Sequence, residues 1–117
     1  MRGATVQTGG HDALRIARAA AVVVSPGVPP GAAPILAARN AERQILSEIE
    51  IALRYAPDLQ YIAVTGTNGK TTTTALVGHL LRSLGVSAPD AGNIGTPLSA
   101  VVNEPVLPEW VSLELSS

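Results

Sequence analysis

An apolar segment that runs directly into a glycine-containing loop and then into a helical pattern constrains the fold of this chain most strongly. Residues 61–64 are apolar and predict a strand, and residues 66–71 read Gly-Thr-Asn-Gly-Lys-Thr. After the loop, apolar side chains recur at intervals of three and four, which predicts a helix that ends near Gly85. The predicted apolar face of this helix consists of Leu76, Val77, Leu80, Leu81 and Leu84. The order of strand, loop and helix predicts an α/β fold with a parallel sheet.

The loop has the residue types that bind phosphate groups. Gly66 and Gly69 carry no side chain, so backbone N–H groups can approach phosphate oxygens, and the following helix N-terminus adds partial positive charge. Lys70 supplies a full charge for the outer phosphates, the Thr71 hydroxyl is placed to bind magnesium, and Thr72 is placed to contact phosphate. Only two residues separate the first glycine from the Gly-Lys pair, whereas the common phosphate loop has a longer spacer. A glycine-rich turn that contains a lysine by chance is the alternative, but the flanking strand and helix favour phosphate binding.

A carboxylate near the end of a second strand is a candidate magnesium ligand. Residues 110–115 alternate in polarity as a strand does, and Glu114 lies near the carboxyl end of that pattern. Ligands of open α/β sheets bind at this edge. A glutamate at a strand end is more often simply solvated. The phosphate loop on a neighbouring strand favours metal binding by Glu114.

Other polar residues have simpler interpretations when they are taken alone. Residues 92–95 read Gly-Asn-Ile-Gly and predict a tight turn in which Asn93 hydrogen-bonds its own backbone. Glu48 and Glu50 are two residues apart and face different sides of a predicted helix, so we expect both to be solvated.

The segment before the loop predicts a helix, a strand, a turn and two further helices. We expect these elements at residues 11–18, 20–24, 25–27, 35–39 and 42–55. Asp12 is a candidate N-cap for the first helix. Pro57 and Asp58 end the last helix, so we place the main domain boundary between residues 57 and 58.

Composition excludes several classes of protein. The chain has 117 residues, of which 46% are hydrophobic and 15% charged, with nine acidic and eight basic side chains. Neither a disordered tail nor a nucleic-acid-binding surface fits these values. The longest nearly apolar stretch, residues 17–24, is too short to span a membrane and contains Arg18. With no cysteine and no leader pattern, we expect a soluble cytoplasmic protein.

Three motifs together closely resemble those of the Mur ligases. They are Thr-Gly-Thr-Asn-Gly-Lys-Thr-Thr at residues 65–72, Gly-Asn-Ile-Gly-Thr-Pro-Leu at residues 92–98 and Leu-Glu-Leu-Ser-Ser at residues 113–117. The short phosphate loop is the form found in that family. Ser-Pro-Gly at residues 25–27 and Ser-Glu-Ile-Glu at residues 47–50 resemble the branch of the family that adds D-glutamate to UDP-N-acetylmuramoyl-L-alanine.

The resemblance implies an ATP- and magnesium-dependent amide ligase of bacterial peptidoglycan synthesis that acts through an acyl phosphate. It implies catalytic roles for Lys70 and Asn93, magnesium binding by Thr71 and Glu114, and a position near the UDP-sugar for residues 25–27. The residues expected to bind ATP are Gly66, Thr67, Asn68, Gly69, Lys70, Thr71 and Thr72. The implied substrates are UDP-N-acetylmuramoyl-L-alanine and D-glutamate, with no nucleic-acid or membrane partner, and the expected oligomeric state is a monomer.

The resemblance also implies the domain organisation. Residues 1–57 would form part of an N-terminal Rossmann-like domain that binds the UDP-substrate, and residues 58–117 the start of a phosphate-loop, parallel-sheet ATPase domain. Complete members have three domains, so we expect this chain to be inactive alone. Two alternatives stay open, namely another Mur or folylpolyglutamate-type ligase and a non-catalytic nucleotide-binding module.

Overall fold

The structure is a computed structural model that describes residues 3–116. It divides into two compact units, Met1–Leu46 and Ser47–Ser117, which we describe separately. The division falls before the predicted boundary at residues 57 and 58, because the helix that precedes Pro57 belongs to the second unit. Ala52 and Ala56 of that segment are buried in the core of the second unit.

The first unit contains two helices and two short strands. Its elements are α1 (Ala13–Arg18), β1 (Ala21–Val24), α2 (Ala33–Asn40) and β2 (Gln44–Ser47), whose last residue starts the second unit. The carboxylate of Asp12 accepts hydrogen bonds from the backbone N–H groups of Leu14 and Arg15 at 2.9 and 3.3 Å, which confirms the predicted N-cap. Strands β1 and β2 form a two-stranded sheet, and Ile35, Ala38 and Leu46 are buried.

The single helix predicted over residues 42–55 is wrong in its first part. Residues 44–47 form strand β2, and only Glu48–Tyr55 is helical, as α3. Glu42 has a φ of 54°, which a continuous right-handed helix does not allow. The hydroxyl of Ser47 accepts a hydrogen bond from the backbone N–H of Glu50 at 3.1 Å. This Ser-x-x-Glu pattern marks a helix start, so the sequence contained a signal for the true boundary.

The second unit is built on a parallel three-stranded sheet. Its remaining elements are β3 (Gln60–Val64), α4 (Lys70–Ser83), β4 (Asp90–Gly92), α5 (Leu98–Val101) and β5 (Trp110–Glu114). The strand order is β3-β5-β4, and Glu114 is in register with Val64 on one side and with Gly92 on the other. All three strands therefore end at the same level, and the segments that follow them meet at one edge.

Helices cover both faces of this sheet. Val111 and Leu113 of β5 are fully buried in a cluster with side chains of α3 and α5. Between them, Ser112 faces α4, where its hydroxyl donates a buried hydrogen bond to the Thr74 carbonyl at 2.7 Å. The alternation predicted for residues 110–115 thus separates the two faces, and the predicted α/β class with a parallel sheet is confirmed.

The face of α4 that packs on the sheet matches the predicted one only in part. Leu76, Leu80 and Leu84 are 55%, 52% and 79% exposed, whereas Thr74 and Gly78 are buried and Val77 and Leu81 are half-buried. A side chain at Gly78 would overlap the carboxylate of Asp90, which forms a salt bridge with Arg82 at 3.2 Å. Small residues allow the close approach of helix and sheet, and leucine spacing alone did not reveal this.

No helix among residues 3–116 is long and apolar enough to cross a membrane.

One glutamate that we expected to be solvated has a structural contact. The carboxylate of Glu48 accepts a hydrogen bond from the backbone N–H of Ser99 and so caps the first turn of α5. Glu50 is exposed as expected, and it pairs with Arg54 one turn along α3 at 2.9 Å.

Candidate phosphate and magnesium site

The loop between β3 and α4 has a backbone conformation that requires glycine at two positions. Gly66 and Gly69 have φ values of 144° and 74°, which side chains disfavour. Gly69 is the N-cap of α4, and among residues 3–116 no side chain hydrogen-bonds the first free N–H groups of this helix. These donors at the positive end of the helix dipole suit an anionic ligand.

Lys70 folds back over the loop. Its ammonium group donates a hydrogen bond to the Gly66 carbonyl at 2.6 Å, and the residue is half-buried. An ammonium group has three donors, so this contact leaves two for phosphate oxygens. The contact also holds the charge beside the backbone donors of the loop.

Thr71 and Glu114 meet although they are 43 residues apart in sequence. The Thr71 hydroxyl donates to the Glu114 carboxylate at 2.9 Å. Glu114 is only 5% exposed, so the interpretation of a solvated strand-end glutamate does not hold. A buried carboxylate is costly unless hydrogen-bonded or paired with a cation. A hydroxyl and a carboxylate are also the hard oxygen ligands that magnesium prefers, so the two residues fit that ion.

Asn93 joins the ends of β4 and β5. Its backbone N–H donates to the Glu114 carbonyl at 3.1 Å, and its side-chain amide donates to the Ser116 hydroxyl at 2.7 Å. The turn is therefore tied to the neighbouring strand, and Asn93 does not cap its own backbone as its residue type alone suggested. The amide oxygen of Asn93 is buried and has no partner among the described residues. The contact of Ser116 is not predictable from the sequence, because it depends on the strand register.

The remaining predicted site residues fall into two groups, one on and beside the phosphate loop and one in the first unit. Thr67, Asn68 and Thr72 are exposed on the loop and on the first turn of α4, where a bound nucleotide could reach them. The predicted turn at residues 25–27 is present, with a hydrogen bond from the Val28 N–H to the Ser25 carbonyl at 3.4 Å. It belongs to the first unit.

Residues 3–116 contain no cluster of three or more histidine or acidic side chains that could enclose a metal ion. A magnesium ion held by Thr71 and Glu114 would therefore need further ligands. Magnesium commonly takes these from phosphate groups and water. The arrangement thus suits a metal that arrives with a polyphosphate.

Comparison with known proteins identifies the family. Residues 64–112 match the sequence model of the Mur ligase middle domain. The chain is 45% identical over 107 residues to the UDP-N-acetylmuramoylalanine--D-glutamate ligase of Geobacter metallireducens, covering 92% of this chain and 24% of that protein. It is 47% identical over 116 residues to the ligase of the same name from Frankia casuarinae, with 98% of this chain and 24% of that protein covered.

A third similar ligase with that name, from Gloeobacter violaceus, is 46% identical over 96 residues, or 82% of this chain and 22% of that protein. The chain thus spans about a quarter of the length of the relatives it matches. Over that span, which contains the phosphate loop and the strands around it, the chain belongs to the Mur ligase family.

Proposed function

We propose that this chain provides the nucleotide-binding part of a ligase that adds D-glutamate to UDP-N-acetylmuramoyl-L-alanine with ATP, in peptidoglycan synthesis. The observation that carries the proposal is the contact between Thr71 and Glu114 beside the Lys70 loop, at the common edge of three parallel strands. The names of the similar ligases support the choice of both substrates.

In this proposal the two units have separate tasks. The first is part of a Rossmann-like domain for the UDP-substrate, with the turn at residues 25–27 near the sugar. The second is part of a phosphate-loop ATPase domain, in which residues 66–72 hold ATP. Every proposed catalytic and metal-binding residue lies in this second unit.

The proposed reaction activates a carboxylate. An oxygen of the alanyl carboxylate attacks the γ-phosphorus of ATP, ADP leaves, and an acyl phosphate forms. The amino group of D-glutamate then attacks the acyl carbon, loses a proton and expels inorganic phosphate, which carries away the attacking oxygen. Charge accumulates on the transferred group, and stabilising it is the main contribution that a protein makes to phosphoryl transfer.

Each residue has a proposed part in that stabilisation. Lys70 already lies over the loop and would follow the migrating phosphoryl charge. Asn93 would lie where the γ-phosphate meets the substrate carboxylate. Thr71 and Glu114 would hold magnesium, which when bound offsets negative charge on the phosphate oxygens.

The experiment that tests this function measures phosphate release by the full-length chain that contains these residues. We expect release only when ATP, magnesium, the alanyl-muramyl nucleotide and D-glutamate are all present. Equal turnover with L-lysine or diaminopimelate would instead favour another ligase of the family. ATP binding without any amide formation would favour a non-catalytic nucleotide-binding module.

Lys70→Ala is the matched variant for this assay. It removes the charge over the loop but leaves the conformations of Gly66 and Gly69 available. We expect activity to fall at least ~100-fold, as when one preorganised transition-state donor is lost. Unchanged turnover in a folded variant would refute the charge role of Lys70.

A monomeric state and a cytoplasmic location stay predictions.

A further inference from the structure

The amide group of Asn93 is oriented in a way that does not suit its proposed ligand. Its nitrogen donates to the Ser116 hydroxyl at 2.7 Å, while its oxygen is buried without a partner in the described part of the chain. Phosphate and carboxylate oxygens only accept hydrogen bonds, so they require a donor from Asn93. The observed orientation uses that donor elsewhere.

Ser116 can resolve this mismatch because a hydroxyl both donates and accepts hydrogen bonds. If the amide turns by half a rotation, its oxygen accepts from the Ser116 O–H and its nitrogen becomes free. The side chain of Asn93 then remains anchored at the same point. Both groups of the amide are satisfied once an anionic oxygen accepts from the nitrogen.

The backbone fixes the two residues just beyond the ends of their strands. The N–H of Leu115 donates to the Val64 carbonyl at 2.9 Å, which extends the pairing of β5 with β3 to the residue before Ser116. The N–H of Asn93 donates to Glu114, and a side chain at Gly92 would overlap the Glu114 carbonyl. The distance between Ser116 and Asn93 is thus set by sheet register.

We propose that Ser116 is a positioning residue, whose hydroxyl holds Asn93 in place while the amide turns to donate to an anionic oxygen of the activated substrate. The inference rests on the proposed function. It assigns Ser116 an effect on the chemical step that acts through Asn93 and leaves ATP binding unchanged.

The test compares Ser116→Thr with Ser116→Val in the full-length chain. The two variants have the same shape and add the same methyl group, but only threonine keeps the hydroxyl. We expect kcat of the valine variant to be about 10- to 100-fold below that of the threonine variant, as for a misplaced catalytic group. KM for ATP should be equal in both. Ser83→Ala, which removes an exposed hydroxyl on α4, should leave kcat unchanged.

Two further variants separate positioning from a general structural role. Asn93→Asp keeps the shape and can accept from Ser116 but has no donor, so we expect a kcat loss of about 100- to 1,000-fold. In an Asn93→Ala background, Ser116→Val and Ser116→Thr should have the same kcat, because the group that Ser116 positions is gone.

Three results would overturn the inference. The first is equal kcat for the two Ser116 variants when Asn93 is unaltered. The second is a difference in kcat between the valine and threonine variants that persists in the Asn93→Ala background. The third is a change confined to KM for ATP. If the unaltered full-length chain forms no amide with D-glutamate, the proposed function fails first. The two failures are therefore distinguishable.

Discussion

Gly69 and Gly92 both have positive φ angles but different surroundings. Their φ values are 74° and 98°, so a side chain is strained at either position. Nothing lies within 4 Å of a side-chain carbon built at Gly69, whereas one built at Gly92 overlaps the Glu114 carbonyl. We expect Gly69→Ala to lower the free energy of unfolding by roughly 1–2 kcal/mol. Gly92→Ala adds an overlap with backbone and should lower it by more than about 3 kcal/mol.

Urea unfolding of the two variants measures this difference directly. Equal losses of stability would contradict the close contact between Gly92 and β5. At this scale the sequence predicts the chemistry of Lys70, Thr71 and Glu114 from residue type and position alone. The contact of Asn93 with Ser116 was not predicted, because it depends on which strands are neighbours and in what register.

The helical period predicted for α4 is correct, but the predicted buried face is displaced from the observed one. Helix propensity alone predicts that Gly78→Ala stabilises the chain by about 1 kcal/mol. We expect this gain to be cancelled and stability to fall by roughly 1 kcal/mol, because the new methyl group displaces the Asp90 carboxylate and disturbs its pairing with Arg82. Leu80→Ala on the exposed side should cost less than about 1 kcal/mol. If Leu80→Ala lowered the free energy of unfolding more than Gly78→Ala does, the leucine face would instead be the buried one.

The two glutamates of α3 provide a matched pair. Glu48 caps the N-terminus of α5, whereas Glu50 forms an exposed pair with Arg54. We expect Glu48→Ala to lower the free energy of unfolding by about 0.5–2 kcal/mol, as for loss of a helix cap. Glu50→Ala should lower it by less than about 0.5 kcal/mol. Thermal unfolding of both variants checks the order, and the reverse order would contradict the capping role of Glu48.

The predicted start of α3 is wrong because the apolar spacing of the helix continues into the strand before it. Ile45, Ile49 and Leu53 are spaced as on a helix, although Ile45 lies in β2. The spacing therefore extended the helix across the Ser47 cap. Patterns of apolar residues identify a helix more reliably than they identify its ends.

At the scale of the whole molecule, the α/β class and the meeting of strand ends were predictable, but the division into units was not. The placement of α3 follows from the burial of Ala52 and Ala56 against α5 and β5 residues that lie far along the sequence. Alanine carries little periodic signal, so in the sequence the helix-ending Pro57 is the stronger indication of a boundary.

The central claim is that the edge shared by Lys70, Thr71, Asn93 and Glu114 uses ATP to activate a carboxylate. The most direct test supplies the full-length chain with alanyl-muramyl nucleotide that carries ¹⁸O in its carboxylate, together with ATP, magnesium and D-glutamate. Mass spectrometry of the released phosphate then reports the path of the oxygen. We expect one labelled oxygen in each phosphate, transferred when the acyl phosphate breaks. Amide formation with unlabelled phosphate would contradict it.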